Sequence, residues 1–451
     1  MKIGLFCLAC LMVPAVHASA HPVSAQTITA QPPAIPQVDA PELAALGPHR
    51  IGTQQLIVPV ANAQSLTAQG LVASPRSIKV RVWYPAVKSP RSVRTRFAHS
   101  LPRPDGKGVE FTIASLAAEG AAVLQGQRYP LVVVSHGYNG WDTFMTWLTE
   151  NLATKGYIVV AIDHADQRAT SGPERALSFG NVLLHRAADQ RSVIDYFATR
   201  AANQADPLGR VVDAERIGLV GYSMGGFGVL ATAGLDYDPA GPAFAQLPPA
   251  ARAAIFANQT YGKAIAARIK AVVALAPFGG RPDSRAWAPE TVAQFSKPAL
   301  IIAGTDDDIV DAKGGVAWIY DQMHSNQRHF LLFQNARHNV GGNPPPPAAD
   351  GDFSTREYFA EPVWRTDRIN AINQHFITAF LDLNLKGDTA KAAYLDVTPA
   401  ISGDAQWPMA PSASIGGRYA ADAEPAYWRG FQRRWVIGLE MRQGQPAPAG
   451  R

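Results

Sequence analysis

A serine lies between two glycines in the stretch Gly221-Tyr222-Ser223-Met224-Gly225, which has the spacing Gly-x-Ser-x-Gly. An apolar run typical of a strand, Ile217 to Val220, precedes it, and a run of small residues with helical character, Val229 to Gly234, follows it. At a sharp turn from a strand into a helix, a serine takes a strained backbone conformation that holds its hydroxyl clear of the main chain. The pattern predicts Ser223 as a nucleophile, and it predicts that Gly221 and Gly225 are needed to avoid collisions in the turn. A glycine-rich turn with an incidental serine is the alternative that the motif alone leaves open.

A serine hydroxyl is a poor nucleophile at neutral pH, so it needs a base, a group that orients the base, and donors for the oxyanion that forms. His338 is the candidate base because it follows an apolar strand-like run, Phe330 to Phe333, by five residues and lies in a predicted loop. Three consecutive aspartates at 306–308 follow another such run, Ala299 to Ala303, and supply the candidate acids. Serine, then aspartate, then histidine is the chain order of α/β-hydrolases.

Two backbone amides are the candidate oxyanion donors. One belongs to Met224, directly after the nucleophile, and the other to Tyr138, in the turn that follows the apolar run Leu131 to Val134. His164, at the carboxyl end of a predicted strand, and Trp141, near the turn that contains Tyr138, are the candidates for lining the acyl or alcohol pocket. A structural role is an equal alternative for these two side chains.

From residue 130 onward, strand-like runs alternate with helical stretches. The predicted strands are continuous apolar runs, as expected for strands buried on both faces: Leu131 to Val134, Tyr157 to Ile162, Ile217 to Val220, Ala271 to Leu275, Ala299 to Ala303 and Phe330 to Phe333. Alternation of this kind specifies an α/β fold, a mostly parallel sheet with helices on both faces. Upstream, Leu56 to Val58 and the alternating run Ser77 to Tyr84 predict an antiparallel hairpin at the edge of this sheet.

The rest of the chain divides into a leader, a possible insertion and a tail. Residues 1–20 have the charged start, apolar run and small-residue cleavage site of a secretory signal peptide, and residues 21–50, rich in Ala, Pro and Gln, are predicted to be a flexible leader. The catalytic domain is predicted over residues 51–385. Within it, residues 236–269 interrupt the alternation and predict either a cap over the site or an excursion packed on the flank. Residues 386–451 carry several aromatic residues and are predicted to form an extension packed on the domain.

Composition excludes several classes of function. The formal charge of +5 is mild for 451 residues, and basic and acidic residues are interspersed, so a nucleic-acid partner is not expected. One local basic cluster is predicted to be a solvated loop: Arg91, Arg94, Arg96 and Arg103. Cys7 and Cys10 both lie in the predicted signal peptide, so the mature chain is expected to have no disulfide and no thiolate nucleophile. No run approaches the roughly 18 apolar residues of an integral membrane anchor. These features predict an exported protein, periplasmic or secreted, and leave its oligomeric state open.

Several ordered motifs resemble one family. They are Val82-Trp83-Tyr84-Pro85, Val134-Ser135-His136-Gly137, Val159-Val160-Ala161-Ile162-Asp163-His164, the helix beginning Arg186-Ala187-Ala188-Asp189, Gly221-Tyr222-Ser223-Met224-Gly225-Gly226, Gly304-Thr305-Asp306-Asp307-Asp308-Ile309-Val310 and Arg337-His338. Together they resemble bacterial α/β-hydrolases identified as predicted dienelactone hydrolases, a group similar to platelet-activating-factor acetylhydrolase. The resemblance covers roughly residues 76 to 385 and implies the α/β-hydrolase fold and carboxylic-ester hydrolysis without a cofactor or a metal.

Matching the motifs residue by residue implies a triad of Ser223, Asp307 and His338, with the amides of Tyr138 and Met224 as the oxyanion hole. The aromatic Tyr138 after His-Gly also resembles secreted cutinases and polyesterases. The predicted function is an exported serine esterase that acts on a small-molecule or lipid-like ester through an acyl-enzyme. A lipase or polyester depolymerase is one alternative, and a catalytically silent binding protein on the same fold is another.

Overall fold

A computed structural model of the chain describes residues 31–89, 93–102, 108–166, 172–325, 327–405, 427–432 and 434–444. The predicted signal peptide and residues 21–30 of the predicted leader lie outside the described residues. Among the residues described, no helix combines the length and the apolar character needed to span a membrane.

The described residues contain strands β1 (Ile51–Thr67), β2 (Gly70–Pro85), β3 (Arg94–Pro102), β4 (Gly108–Glu119), β5 (Tyr129–Ser135), β6 (Ile158–Asp163), β7 (Val212–Tyr222), β8 (Ile269–Leu275), β9 (Ala299–Gly304), β10 (Arg328–Phe333) and β11 (Leu439–Gln443). They form one sheet in the order β11-β10-β9-β8-β7-β5-β6-β2-β1-β4-β3. Strands β5 to β10 are parallel to one another, whereas β2 joins β6 and β11 joins β10 in antiparallel fashion. The parallel strands are runs of Val, Ile, Leu and Ala that are almost entirely buried, as strands covered on both faces must be.

The helices that accompany the sheet are α1 (Thr146–Thr154), α2 (Gly172–Ala202), α3 (Met224–Thr232), α4 (Pro249–Ala266), α5 (Pro289–Ala293), α6 (Trp318–Gln322), α7 (Phe353–Phe359) and α8 (Thr366–Leu381). Helix α1 packs on α8, while α2 packs on α3 and α4, so the long helices flank the sheet in two groups. This arrangement confirms the predicted mostly parallel sheet flanked by helices.

The antiparallel end of the sheet is larger than predicted. The predicted hairpin is present as β1 and β2, with Ile51 opposite Pro85, and a second hairpin of β3 and β4 extends the sheet beyond it. Arg94 and Arg96 lie on β3 and not in the predicted solvated loop. The other two arginines of that cluster, Arg91 and Arg103, lie outside the described residues.

Residues 31–50 are docked on the domain, and this corrects the prediction of a flexible leader for that part. Ala44 is fully buried, and the backbone around Leu43 is bound from two sides. Lys155 Nζ donates to the Leu43 carbonyl oxygen at 2.5 Å, and the Leu43 amide donates to Nδ1 of His375 at 3.1 Å. The segment has no apolar period, so side-chain donors and acceptors of the domain hold its backbone instead.

Residues 236–269 do not form a cap. Their helix α4 lies against α2, where Arg191 donates to the carbonyl oxygen of Asn258 at 2.7 Å and its guanidinium leaves no room for a side chain at Gly262. These contacts place the segment on the flank of the sheet, which was the alternative interpretation.

The described part of the C-terminal extension lies against the domain. Strand β11 extends the sheet at β10, and Trp428 and Phe431 pack on Phe376 of α8 with ring centroids 6.0 and 5.9 Å away.

Candidate active site

Ser223 joins strand β7 to helix α3 with a φ of 54° and a ψ of −114°, a conformation that a non-glycine residue rarely adopts. A Cβ at Gly221 would lie 2.2 Å from the carbonyl oxygen of Gly225, and a Cβ at Gly225 would lie 2.0 Å from the carbonyl oxygen of Ser135. The turn therefore has room only for glycine at both positions, as predicted. The Ser223 amide donates to the Leu275 carbonyl oxygen of β8 at 2.8 Å, which ties the turn to the sheet.

Three predicted residues form a continuous chain of hydrogen bonds. Ser223 Oγ lies 3.0 Å from Nε2 of His338, and Nδ1 of His338 lies 2.8 Å from Oδ2 of Asp307. Because a carboxylate only accepts, Nδ1 carries the proton and Nε2 is free to accept the serine proton. This is the tautomer that a general base for Ser223 requires.

The acid and the base lie in two loops that are packed against each other. The Asp306 amide donates to the Ala336 carbonyl oxygen at 2.9 Å, and the Asn335 amide donates to Oγ1 of Thr305 at 2.8 Å. The second carboxylate oxygen of Asp307 accepts from the amides of Ile309 and Val310, at 3.0 and 3.1 Å. These bonds hold the carboxylate in the orientation in which its other oxygen, Oδ2, contacts the imidazole.

The neighbouring aspartates have other partners. Asp306 is exposed, Asp308 pairs with Arg337 at 2.8 Å, and Asp311 accepts from the first amides of the helical turn that it precedes. Only the side chain of Asp307 among these four is within hydrogen-bond distance of His338.

The turn after β5 is adjacent to the nucleophile, which is where the predicted oxyanion donors should lie. A Cβ at Gly137 would be 3.3 Å from Cβ of Ser223, and Tyr138 follows directly and lines the same cleft. Met224 is the first residue of α3, so its amide has no acceptor within that helix. Both predicted donors therefore belong to turns next to Ser223, and their role as an oxyanion hole stays a prediction.

A cleft with a volume of about 700 Å³ opens above these residues. Its apolar lining residues are Phe144, Tyr222, Ile309, Phe353, Tyr358 and Pro362, and its charged lining residues are Asp308, Arg337, Arg356, Glu357 and Glu361. Tyr222 donates to the His338 carbonyl oxygen at 3.1 Å. Burial, together with the Asp307 carboxylate, raises the pKa of Tyr222 well above its ordinary value, so the hydroxyl stays protonated as a donor.

The segment that covers the site is residues 353–362, with helix α7, and sequence reasoning missed it. Asn339, next to the base, donates to the carbonyl oxygens of Glu357 and Ala360 at 2.8 and 2.7 Å. Glu361 accepts from the Arg337 amide at 2.7 Å. A signal was available, because a connection of this length between a strand and the next long helix is usually functional.

His164 does not line the cleft, so its predicted substrate-binding role is wrong. Its ring is fully buried, with Nε2 at 2.8 Å from Oγ of Ser135 and Nδ1 at 2.8 Å from Oδ2 of Asp189. Asp189 also pairs with Arg76. Burial, with the Arg186 guanidinium nearby, lowers the pKa of His164 to about 3, which keeps the ring neutral.

Trp141 does not line the cleft either. Its ring is buried and stacks on Tyr358 with centroids 6.3 Å apart and planes 13° apart. It packs against a residue that lines the cleft, which corrects the predicted direct contact with substrate.

Among the described residues there is no group of three or more His, Cys, Asp or Glu side chains that could hold a metal ion.

The sheet and its helices define an α/β-hydrolase fold, and a Ser-His-Asp chain lies where its strands end. A solved structure described as a ferulic acid esterase from Streptomyces cinnamoneus superposes with a TM-score of 0.53 and 22% sequence identity, covering 77% of this chain and 94% of that one. At this identity the likeness concerns the fold.

Comparison of sequences identifies the proteins that this chain is similar to. A family model described as PETase, PET hydrolase-like, matches residues 122–256, which include Ser223 and the turn after β5 but not Asp307 or His338. Cutinase est1 of Thermobifida alba is 29% identical over 215 residues, 48% of this chain and 55% of that protein. Platelet-activating factor acetylhydrolase of Gallus gallus is 34% identical over 55 residues, 12% of this chain and 13% of that protein. The chain spans about half or less of the length of the curated relatives it matches.

Proposed function

We propose that the protein is a serine hydrolase of carboxylic esters. The observation that carries the proposal is the chain Ser223–His338–Asp307, with bonds of 3.0 and 2.8 Å, at the floor of an open, mostly apolar cleft. The partial similarity to cutinase est1 supports the same reaction class, the hydrolysis of an ester.

The geometry supports acyl transfer in two halves. His338 takes the proton of Ser223 as the hydroxyl attacks the ester carbonyl, and the amides of Tyr138 and Met224 stabilise the oxyanion. The imidazolium then protonates the leaving alcohol, and the acyl group stays on Ser223. A water molecule, deprotonated by the same imidazole, releases the acid and restores the serine. Asp307 stabilises the imidazolium and holds its tautomer throughout.

The test is turnover of p-nitrophenyl acetate by Ser223→Ala and by a matched control, Ser135→Ala. We expect Ser223→Ala to lose on the order of 10⁴-fold or more in kcat, because the nucleophile and its covalent route disappear. Ser135 hydrogen-bonds a histidine in the same way but is fully buried, so its variant should stay within about tenfold of wild type. A Ser223→Ala protein that keeps more than about a tenth of wild-type turnover would refute the assignment. Absence of turnover in the wild type would favour the binding-protein alternative.

A more specific proposal concerns the substrate. Phe353 and Ile309 at the mouth of the cleft are 78% and 59% exposed, although both are large apolar side chains. Such residues around a cleft suit an extended apolar ester, such as a polyester chain or a lipid-like ester, more than a small soluble one. The PET hydrolase-like match supports this substrate class.

Substrate comparison tests this second proposal. Rates on p-nitrophenyl acetate, p-nitrophenyl palmitate, an aminoacyl anilide and an aromatic polyester film should rank the ester classes and exclude a peptidase. Phe353→Ser should lower activity on the film or the palmitate several-fold while activity on the acetate stays near wild type. Equal losses on all the esters would contradict a role for Phe353 in holding extended substrates.

Export is also a proposal, supported by the charged start, apolar run and cleavage pattern of residues 1–20. Expression of the full chain in a Gram-negative host, followed by fractionation and N-terminal sequencing, should yield protein outside the cytoplasm that begins at His21. An intact start at Met1 on active cytoplasmic protein would contradict it.

A further inference from the structure

The peptide that joins Gly137 to Tyr138 is held firmly on its carbonyl side. The Gly137 carbonyl oxygen accepts from Nη2 of Arg186 at 3.1 Å and from Nδ1 of His136 at 2.6 Å. In a trans peptide the C=O and N–H bonds point in opposite directions. Donors that fix the carbonyl toward the interior therefore fix the Tyr138 N–H toward the cleft, which Gly137 and Tyr138 both line.

The histidine in this arrangement has a defined protonation state. Nε2 of His136 accepts from the His164 amide at 3.2 Å, so its proton is on Nδ1, facing Gly137. Burial, with the Arg186 charge beside it, lowers the pKa of His136 to about 4, and the ring is neutral at ordinary pH.

The far side of the same turn is held by the partner of Arg186. Asp166 accepts two bonds from the Arg186 guanidinium, at 2.8 and 2.6 Å, and one from the Asn139 amide at 2.9 Å. One ion pair thus binds the carbonyl just before Tyr138 and the amide just after it. The side chains of Arg186 and Asp166 are 0% and 3% exposed.

A buried ion pair is a poor device for stability alone, because its desolvation cost can exceed its Coulombic gain. Here the pair contacts a turn in which Asn139 has a φ of 62°, in the left-handed region that few non-glycine residues adopt. Electrostatic stabilisation of an oxyanion depends on donors that are in place before the reaction begins.

We infer that Arg186 and Asp166 are positioning residues for the oxyanion hole, acting through the Gly137–Tyr138 peptide. The inference rests on the proposed ester hydrolysis. It predicts a defect in stabilising negative charge on the carbonyl oxygen, with little change in substrate binding.

The test compares Arg186→Lys and Asp166→Asn with Arg200→Lys. Lysine keeps the charge of Arg186 but cannot make the forked contact to Asp166 while also reaching Gly137. Asp166→Asn is nearly isosteric and serves if the lysine variant fails to fold. Arg200 lies on the same helix and pairs with Asp206, about 20 Å from Arg186 along the helix axis, so it controls for the loss of an α2 ion pair.

Each protein is assayed with a matched ester and thionoester, after titration of its active sites with a phosphonate. A thionoester places sulfur, a weak hydrogen-bond acceptor, in the oxyanion hole, so it depends less on the Tyr138 amide. We expect kcat for the oxoester to fall about 10- to 100-fold in both test variants, with KM within about threefold, since removing one such donor outright costs about 10²- to 10³-fold. The ratio of oxoester to thionoester rates should fall by at least about fivefold, and Arg200→Lys should leave it unchanged.

An unchanged ratio in Arg186→Lys or Asp166→Asn, or an equal drop in Arg200→Lys, would overturn the inference. A general loss of folded enzyme would lower both rates together and would appear in the titration. Failure of the proposed function would look different, because the wild type would then lack oxoester turnover or Ser223→Ala would retain it.

Discussion

Replacement of Asp307 by asparagine tests the assignment of the acid, and the structure determines which way the new amide must lie. Oδ1 of Asp307 accepts from the Ile309 and Val310 amides at 3.0 and 3.1 Å. An asparagine oxygen must stay at that position, since the opposite orientation would set an NH₂ group against two N–H donors. The NH₂ group then faces Nδ1 of His338, which lies 2.8 Å from Oδ2 in the native protein.

This orientation inverts the tautomer of the base. Nδ1 of His338 must accept from the new NH₂, so the proton moves to Nε2, which can no longer take the proton of Ser223. The negative charge that stabilises the imidazolium is also lost. In the serine-protease triad the equivalent change costs about 10⁴-fold in kcat, or about 5 kcal/mol of transition-state stabilisation. We predict a loss of at least roughly 10²-fold for Asp307→Asn, with a thermal midpoint near wild type because the two backbone bonds remain.

The assay is kcat on p-nitrophenyl acetate for Asp307→Asn beside Asp306→Asn and Asp308→Asn. Asp306 is exposed and Asp308 pairs with Arg337 at the surface, so each of these variants should stay within about tenfold of wild type. The reasoning fails if either neighbour shows the larger loss while Asp307→Asn stays near wild type.

Three further predictions concern other parts of the molecule. Dithiothreitol and iodoacetamide should leave the activity and the thermal midpoint of the mature enzyme unchanged, because Cys7 and Cys10 lie in the predicted signal peptide. Chelators should also have no effect, because the proposed ester hydrolysis needs no metal ion and no cluster of metal-ligating side chains occurs among the described residues; a response to any of the three reagents would contradict this. Gly225→Ala should cost at least about 2 kcal/mol of unfolding free energy in urea, since its Cβ would meet a backbone oxygen at 2.0 Å, whereas Gly351→Ala, with open space around it, should be nearly neutral. Burial raises the pKa of Glu150 from 4.5 to about 7, so the folded state binds its proton more tightly than the unfolded state and stability falls as pH rises between these values. The free energy of unfolding of Glu150→Gln, measured relative to wild type, should therefore rise by up to about 3 kcal/mol as the pH increases from 4 to 8. A difference between the two proteins that does not change with pH would refute this.

The parts of the fold that were predictable are those set by short stretches of chain. Gly221 is required by a contact with Gly225 in the same turn, and the parallel strands are continuous apolar runs. Asp307 and His338 come soon after such strands, at the sheet edge where loops meet. These features are local, so the sequence pattern carries them.

The features that the sequence did not reveal depend on partners far away in the chain. Residues 31–50 look like a linker by composition, yet Lys155 and His375 bind their backbone. Residues 236–269 look like a cap by position, yet their backbone meets Arg191 on the flank. His164 stands at a strand end like a catalytic residue, and only its burial reveals a different role. The spacing of apolar residues within a short stretch of chain does not predict contacts of this kind.

The buried row Ser135–His164–Asp189 explains why hydrogen-bond distances alone do not identify a nucleophile. Its two bonds are both 2.8 Å, as tight as those of the candidate triad. However, Ser135 is fully buried and lies within a regular strand, whereas Ser223 stands at a strained turn and lines the cleft. A carbonyl carbon could approach only Ser223, with donors in place for its oxygen.

A phosphonate probe distinguishes the two serines experimentally. A p-nitrophenyl phosphonate ester should label one site, and peptide mapping should place the label on Ser223. Ser223→Ala should take up no label, even though its Ser135 keeps both the neutral histidine and the carboxylate. If the probe modified Ser135 in that variant, burial would not be what separates the two serines, and the choice of Ser223 would rest on its strained strand-to-helix turn alone.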